Sequence, residues 1–311
     1  MTVTEQIDQK HQEDLQRLRG FRLLDDDFLT KCFEGDTASI ELVLQIVLEK
    51  PDLKVLDVRT QVFVENLLNR SVRFDILATD STGAKINVEI QRADKGAGRK
   101  RARYNSSMMD ATLLKKGDDF DNLPETWVVF ITENDVIGKG LPRYSVERCF
   151  LGIGERFEDG SHILYVNGAY RGDTPIGKLM HDFSCTNAAD MYYAPLADRV
   201  RFFKESKEGI LIMCKVMEDM RKESLQEGVK EGIKEGAINT AKRMLADGML
   251  TLEKIAEYAG LPLDEVKKLK AERTAENETV GRESKNRFPV LFFCPEMEAR
   301  CRFFLIWFTA W

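Results

Sequence analysis

Two carboxylates, Asp75 and Glu89, flank a short turn at a spacing that brings them face to face if the segment is a hairpin. Val72–Asp80 is followed by Ser81-Thr82-Gly83 and then by Ala84–Gln91. A three-residue loop ending in glycine is a favoured hairpin connection, because its last position takes the left-handed conformation. Pairing Asp80 with Ala84 sets Asp75 opposite Glu89 and Arg73 opposite Gln91. Strand alternation then puts Phe74, Ile76, Ala78, Ile86, Val88 and Ile90 on one face, and Arg73, Asp75, Leu77, Asn87, Glu89 and Gln91 on the other. Like charges directly opposed on a sheet are destabilising. A carboxylate pair offering only oxygen suits a hard divalent cation such as Mg²⁺. The same residues also fit an exposed face on which Arg73 and Lys85 relieve the charge, and the pattern alone weighs the two equally.

Cations follow the acidic pair. Arg92, Lys95, Arg99, Lys100, Arg101 and Arg103 fall within twelve residues, against one acid, Asp94. Arginine presents a planar fork to phosphate, and contacts of that kind dominate nucleic-acid affinity. Such a run is also what a solvated helix face carries. Tyr104 fits either a phosphate contact or a place against the core.

The elements that must position these groups read as follows. Residues 1–20 are a polar helical leader. Residues 27–50 form a first core helix or helix pair, broken near Gly35-Asp36, with an apolar stripe of Ile40, Val43, Leu44 and Val47. Val55–Val64 is a first strand, the carboxylate hairpin supplies the second and third, and 99–115 is a crossover helix. Trp127–Thr132, almost wholly apolar or β-branched, is a buried fourth strand. Residues 133–185 read as a loop-rich extension with a strand at Ile163–Val166, its turns marked by Gly138, Gly140 and Pro142.

Past residue 196 the chain becomes helical and charged. Gly228, Gly232 and Gly236 recur every fourth residue, but the interleaved Glu and Lys exclude a membrane setting. Leu252 to Leu269 has the look of a small helix-turn-helix, with Pro262 opening its second helix. That unit fits DNA contact through Lys267, Lys268 and Lys270 as well as it fits packing or oligomerisation. Phe288–Trp311 holds eight aromatics in 24 residues without periodicity. It reads as a frameshifted or read-through tail, or else as an oligomerisation or membrane-touching one.

Composition sets outer bounds. A chain of 311 residues, 43% hydrophobic, can bury one substantial core plus an appended unit. Its net charge of −6 makes any nucleic-acid affinity a matter of a local patch. The six cysteines show no C-x-x-C pairing, consistent with reduced thiols of a cytosolic protein. His11, His162 and His181 are scattered and read as structural or surface residues, so a zinc site is not expected. The first twenty residues lack the apolar run of a signal peptide. No segment reaches the ~20 apolar residues of a membrane span. A cytoplasmic protein is expected.

Taken in order, several of these pieces resemble the PD-(D/E)XK nuclease superfamily, and within it the PD-(D/E)XK family transposases, or recombination-promoting nucleases. They are Arg70–Asp80, Glu89-Ile90-Gln91, the Lys100–Tyr104 helix, the Lys116–Phe120 turn and the strand Trp127–Thr132. The similarity runs from about Asp27 to Gly172 and continues more weakly to about 270. Two positions depart from the superfamily name: Phe74 stands where it has proline, and Gln91 where it has lysine. The transposase branch often carries Glu-x-Gln.

The resemblance implies an α/β fold, a restriction-endonuclease-like core whose mixed sheet is flanked by helices, with a helical C-terminal extension. It implies a domain over 21–195, followed by a charged helical arm (196–237), a small helical unit (238–275) and the atypical tail (276–311). The implied activity is Mg²⁺-dependent endonucleolytic hydrolysis of DNA, with Mn²⁺ as a substitute. Asp75, Glu89 and the backbone carbonyl of Ile90 would hold the metal, with Glu41 of the first core helix as an added ligand. Gln91 would orient the attacking water, and Arg73, Arg99, Lys100, Arg101, Arg103 and Tyr104 would contact DNA. A homodimer is left open. The competing readings are a catalytically weakened DNA-binding or interaction protein that keeps the fold, and a nuclease acting on RNA.

Overall fold

The computed structural model describes residues 3–66, 70–92 and 94–273. The aromatic-rich tail lies outside them, as does the side chain of Lys95. Contacts divide the chain into two units, the first running to Lys222 and the second starting at Glu223.

Within the first unit, α1 (Val3–Gly20), α2 (Asp26–Phe33) and α3 (Thr37–Leu48) precede the sheet. The break falls at Gly35, in the left-handed region at φ +67°, before Asp36 caps α3 by accepting from Ser39 N. Strands β1 (Val55–Val64), β2 (Val72–Asp80) and β3 (Lys85–Gln91) form an antiparallel meander. Helix α4 (Arg99–Leu113) then crosses over to β4 (Thr126–Thr132), which lies parallel to β3. Next come β5 (Arg143–Val146), a small hairpin of β6 (Cys149–Phe150) and β7 (Glu155–Arg156), and β8 (Ser161–Asn167). The main sheet runs β1-β2-β3-β4-β8-β5 and is mixed. Helices α5 (Pro175–Ser184), α6 (Ala194–Glu205) and the first part of α7 (Lys207–Asp247) follow.

Both faces of the sheet are covered. Ile76, Ala78, Ile86, Val88, Ile90, Val129, Ile131, Leu164 and Val166 pack in the larger core, which also takes in Val43, Leu44 and Val47 of α3 and Leu179 and Phe183 of α5. The other face packs Val128, Phe130 and Tyr165 on Ala102, Met108 and Met109 of α4. The carboxylate face of the hairpin is therefore interior, and the exposed-face reading of Asp75 and Glu89 falls away. Phe74 departs from strict alternation, joining the α4-side core. Residues 133–185 hold more order than expected. Pro175 opens α5 after Thr174 caps it, and β5 adds a short edge strand.

In the second unit α7 continues unbroken past Gly228, Gly232 and Gly236. Its end packs with α8 (Leu252–Ala259) and a helix over 263–273 around Ala241, Ile255, Val266 and Leu269. Among the described residues no helix is long and apolar enough to cross a membrane.

Candidate active site

The turn between β2 and β3 fixes the register. Asp80 N donates to Ala84 O and Gly83 N to Asp80 O, and Gly83 takes φ +90°. The ladder runs Thr79↔Lys85, Ala78↔Ile86, Leu77↔Asn87 and Ile76↔Val88, the expected register. It stops one pair short of Asp75 and Glu89. There the two carboxylates take over the neighbouring amides: Ile90 N donates to Asp75 Oδ2 at 3.0 Å, and the amide of Asp75 favours ionised Glu89. The acids thus hold the mouth of the hairpin where backbone pairing ends.

Both are buried, Asp75 at 7% exposure and Glu89 at 0%. Burial is the largest influence on Asp75, followed by the charges of Glu89 and Asp26, and together they raise its carboxyl to about 7. Burial likewise raises Glu89, against the opposing pull of Asn87 and Arg101. Glu89 Oε1 accepts from Asn87 Nδ2 at 3.0 Å and Oε2 from Arg101 Nη2 at 2.7 Å. Two acids driven toward protonation by burial, Asp75 also by the charge of Glu89, are poised for a cation.

A third acid was not found from the sequence. Asp26, in the first turn of α2, is the next charge to act on Asp75 after Glu89. It is held by Gln61, whose Nε2 donates to Asp26 Oδ1 (3.3 Å) and to Thr30 Oγ1 (3.0 Å). Gln61 lies on β1 in the slot facing Asp75, between the pairs Thr60↔Ile76 and Val62↔Phe74, with a left-handed backbone at φ +53°. Such a conformation in a long side chain is strained and persists where the surroundings enforce it. The start of α2 is clamped by Arg22, Asp25, Arg92 and Glu133, with Arg22–Glu133 and Arg92–Asp25 both at 2.8 Å.

The residues fit a hard cation. All of the acidic donors are oxygens, and two further oxygens, Asn87 Oδ1 and Gln61 Oε1, are buried without a hydrogen-bond partner. Unpartnered buried acceptors are costly, and a cation near them would remove that cost.

Glu41 is not brought to this site. It sits on α3, where Oε1 accepts from Lys54 Nζ (2.8 Å) and Oε2 from Val55 N (3.0 Å). Val55 pairs with Asp80 at the turn end of β2, five residues from Asp75 and so roughly 16 Å along a strand. Its role there is to join α3 to the start of β1.

Of the cations, Arg73, Arg99, Lys100 and Arg103 are exposed, and among the described residues none of them is in an ion pair. Arg92 is spent on the clamp of α2. Arg101 points into the site rather than outward, with Nη1 also near Gln91 Oε1 (3.3 Å) and Gly96 O (3.4 Å). Gly96 lies against the Gln91 amide: a Cβ at that position would come 1.9 Å from Gln91 Oε1, and the amide would have to move. Tyr104 packs on the α4-side core and donates to Arg70 O.

His181, Asp182 and Cys185 also gather, near the end of α5. Asp182 is fully buried, and its two oxygens accept from Tyr192 N and Tyr193 N, both at 2.8 Å. That bonding accounts for its burial as an anchor for the segment entering α6.

A mixed sheet flanked by helices, with an acidic pair on neighbouring strands and a Glu-x-Gln on the second, defines a restriction-endonuclease-like nuclease fold. Residues 36–167 match the family model of the PD-(D/E)XK nuclease family transposase. The class hydrolyses phosphodiester bonds. Asp26 lies before the matched stretch; Asp75, Glu89, Gln91 and Arg101 lie inside it. No curated protein and no solved structure matches the chain.

Proposed function

We propose that the chain is a Mg²⁺-dependent DNA endonuclease of the transposase-like, recombination-promoting kind, cytoplasmic, with its activity in residues 21–195. The observation that carries this reading is the pair of buried acids Asp75 and Glu89, the charge of Glu89 raising Asp75, with Arg101 the cation described in contact with them.

Asp75, Glu89 and the carbonyl of Ile90 would hold the metal, with Asp26 completing the acidic set in place of Glu41. A bound Mg²⁺, or Mn²⁺ in its stead, lowers the pKa of a coordinated water and offsets charge developing on the phosphate. Gln91, whose amide lies against Gly96, would orient a water there; being neutral, it cannot take the proton as a general base. Arg73, Arg99, Lys100 and Arg103 bind backbone phosphates, which favours a nucleic-acid substrate without reading its sequence. DNA is preferred over RNA on the family's transposase character alone. Self-association has no observation behind it.

The test is incubation of the full chain with supercoiled plasmid and, separately, with a single-stranded RNA, each with Mg²⁺ or with EDTA. Nicking or linearisation that needs metal and is lost in Asp75→Ala is expected. Plasmid left intact by a folded protein that still binds it would replace this reading with a binding-only one, and cleavage of RNA alone would move the substrate class.

A further inference from the structure

The position that carries lysine in the superfamily name is Gln91 here, so the strand offers no positive charge to the reacting phosphate. A charge reaches that position from elsewhere. Arg101, one turn into α4, reaches back over ten residues so that one guanidinium touches both Glu89 and Gln91. We propose that Arg101 is an exchangeable counter-ion: it closes the metal-free site by pairing with Glu89, and on cation binding it transfers to the phosphodiester, supplying the charge that Gln91 lacks. The proposal rests on the nuclease reading of this site.

The geometry supports both halves. Glu89 is wholly buried, and its two oxygens are engaged by Asn87 and by Arg101, so a divalent cation at Oε2 meets a like charge 2.7 Å from that oxygen. The cation and the guanidinium compete for the same carboxylate. Arg101 can yield, because its side chain remains 43% exposed while its partner is closed off. Its other contacts, to Gln91 Oε1 and Gly96 O, are long. A guanidinium on a flexible stem can pivot without moving its helix, and its fork suits phosphate oxygens as well as carboxylate. The exposed Arg99, Lys100 and Arg103 on the same turn of α4 would deliver the phosphate backbone to it.

The test compares wild type with Arg101→Gln, which keeps a donor without the charge, and Arg101→Lys, which keeps the charge without the fork. Mn²⁺ affinity of the full chain without DNA is measured by calorimetry, and the melting temperature is followed in EDTA and in Mn²⁺. Arg101→Gln is expected to bind Mn²⁺ at least tenfold more tightly, to melt lower in EDTA, and to regain more than wild type on adding Mn²⁺. At saturating Mn²⁺ it cleaves plasmid at least tenfold more slowly, with Arg101→Lys between the two. Unchanged or weaker Mn²⁺ affinity in Arg101→Gln overturns the exchange. So does wild-type cleavage by that variant. A wild type that binds Mn²⁺ more weakly than the variant but cleaves nothing upholds the competition and removes the nuclease reading instead.

Discussion

Strand β2 carries two buried aspartates, one at the turn and one where its ladder with β3 stops, and the two are treated differently by their surroundings. Asp80, at the turn, is 4% exposed, and its Oδ1 accepts from Thr82 N, Thr82 Oγ1 and Ala84 N at 2.9, 2.7 and 3.0 Å. Asp75, just past the last β2–β3 pair, is 7% exposed and accepts one described hydrogen bond, from Ile90 N, while Glu89 and Asp26 press negative charge on it. Asp80 is saturated with donors and holds a turn. Asp75 is left short of them and surrounded by its own kind, which serves the fold badly and a cation well. The same contrast separates Glu41, tied to Lys54 and Val55 N, from Asp26, tied to Gln61 beside an unpartnered oxygen. In these two comparisons donor supply, more than burial, separates the structural carboxylate from the candidate ligand.

The contrast breaks first at its strongest point. Asp75→Ala or Glu89→Ala should drop metal-dependent cleavage to background, a loss of about a thousandfold or more on the scale of removing charge stabilisation from a reacting centre. Asp80→Ala should retain cleavage by the folded fraction but cost about 2 kcal/mol, since it removes three hydrogen bonds from the turn and leaves the buried amide of Ala84 without its acceptor. Denaturant melts beside plasmid assays would decide it. Equal activity losses at Asp75 and Asp80 would erase the distinction.

Asp26→Asn sharpens the contrast at intermediate strength. If Asp26 belongs with Asp75, removing its charge should weaken Mn²⁺ binding and cleavage roughly tenfold to a hundredfold, the range expected of groups that support a metal ligand set. Gln61→Ala should produce a smaller loss of the same kind by releasing Asp26. Calorimetric Mn²⁺ titrations of both variants would show whether the losses are in affinity. Wild-type affinity in Asp26→Asn would confine the site to the two strands.

The contrast also has a pH signature. In the metal-free fold Asp75 is raised from 3.8 to about 7, so the folded chain holds its proton more tightly than the unfolded chain does. Its contribution to stability is therefore complete below the unfolded value and is lost as pH rises toward 7. In EDTA, wild type should lose on the order of 2 kcal/mol more than Asp75→Asn between about pH 4 and pH 8. Divalent metal should restore stability most at the alkaline end, where the carboxylates are free of protons. Parallel pH profiles for wild type and Asp75→Asn would show that the acid titrates as an ordinary surface group.

What the sequence made legible follows the range of the interactions. The hairpin register came from Gly83 and the alternation beside it, a local code, and β1 and β4 stood out as β-branched runs. Helix α5 did not, because Thr174-Pro175 signals a turn as readily as a helix start, and its helicity is settled by burying Leu179, Met180 and Phe183. Asp26 was hidden for a related reason. Nothing in the acidic opening of α2 reveals that β1 bends at Gln61 to hold it beside a strand about fifty residues on. Arg101 looked like one cation in a run, since only the crossover of α4 turns it back onto Glu89. Glu41 shares the helix pair with Asp26, but α3 carries its acid to the turn end of the hairpin, away from Asp75.

The smallest expected effect concerns Glu41. Glu41→Gln keeps the shape and can still accept from Val55 N, but gives up the charge facing Lys54, whose side chain is 64% exposed. Pairs so open to water contribute little, so the loss should be about 0.5 kcal/mol. Salt should diminish it further, because the interaction is screened. Cleavage and Mn²⁺ affinity should match wild type, since Lys54 and Val55 sit at the turn end of β2 while the metal reading needs the place where the β2–β3 ladder stops. A tenfold fall in Mn²⁺ affinity in Glu41→Gln would mean that the first core helix reaches the site from α3, and would return Asp26 to the surface of α2.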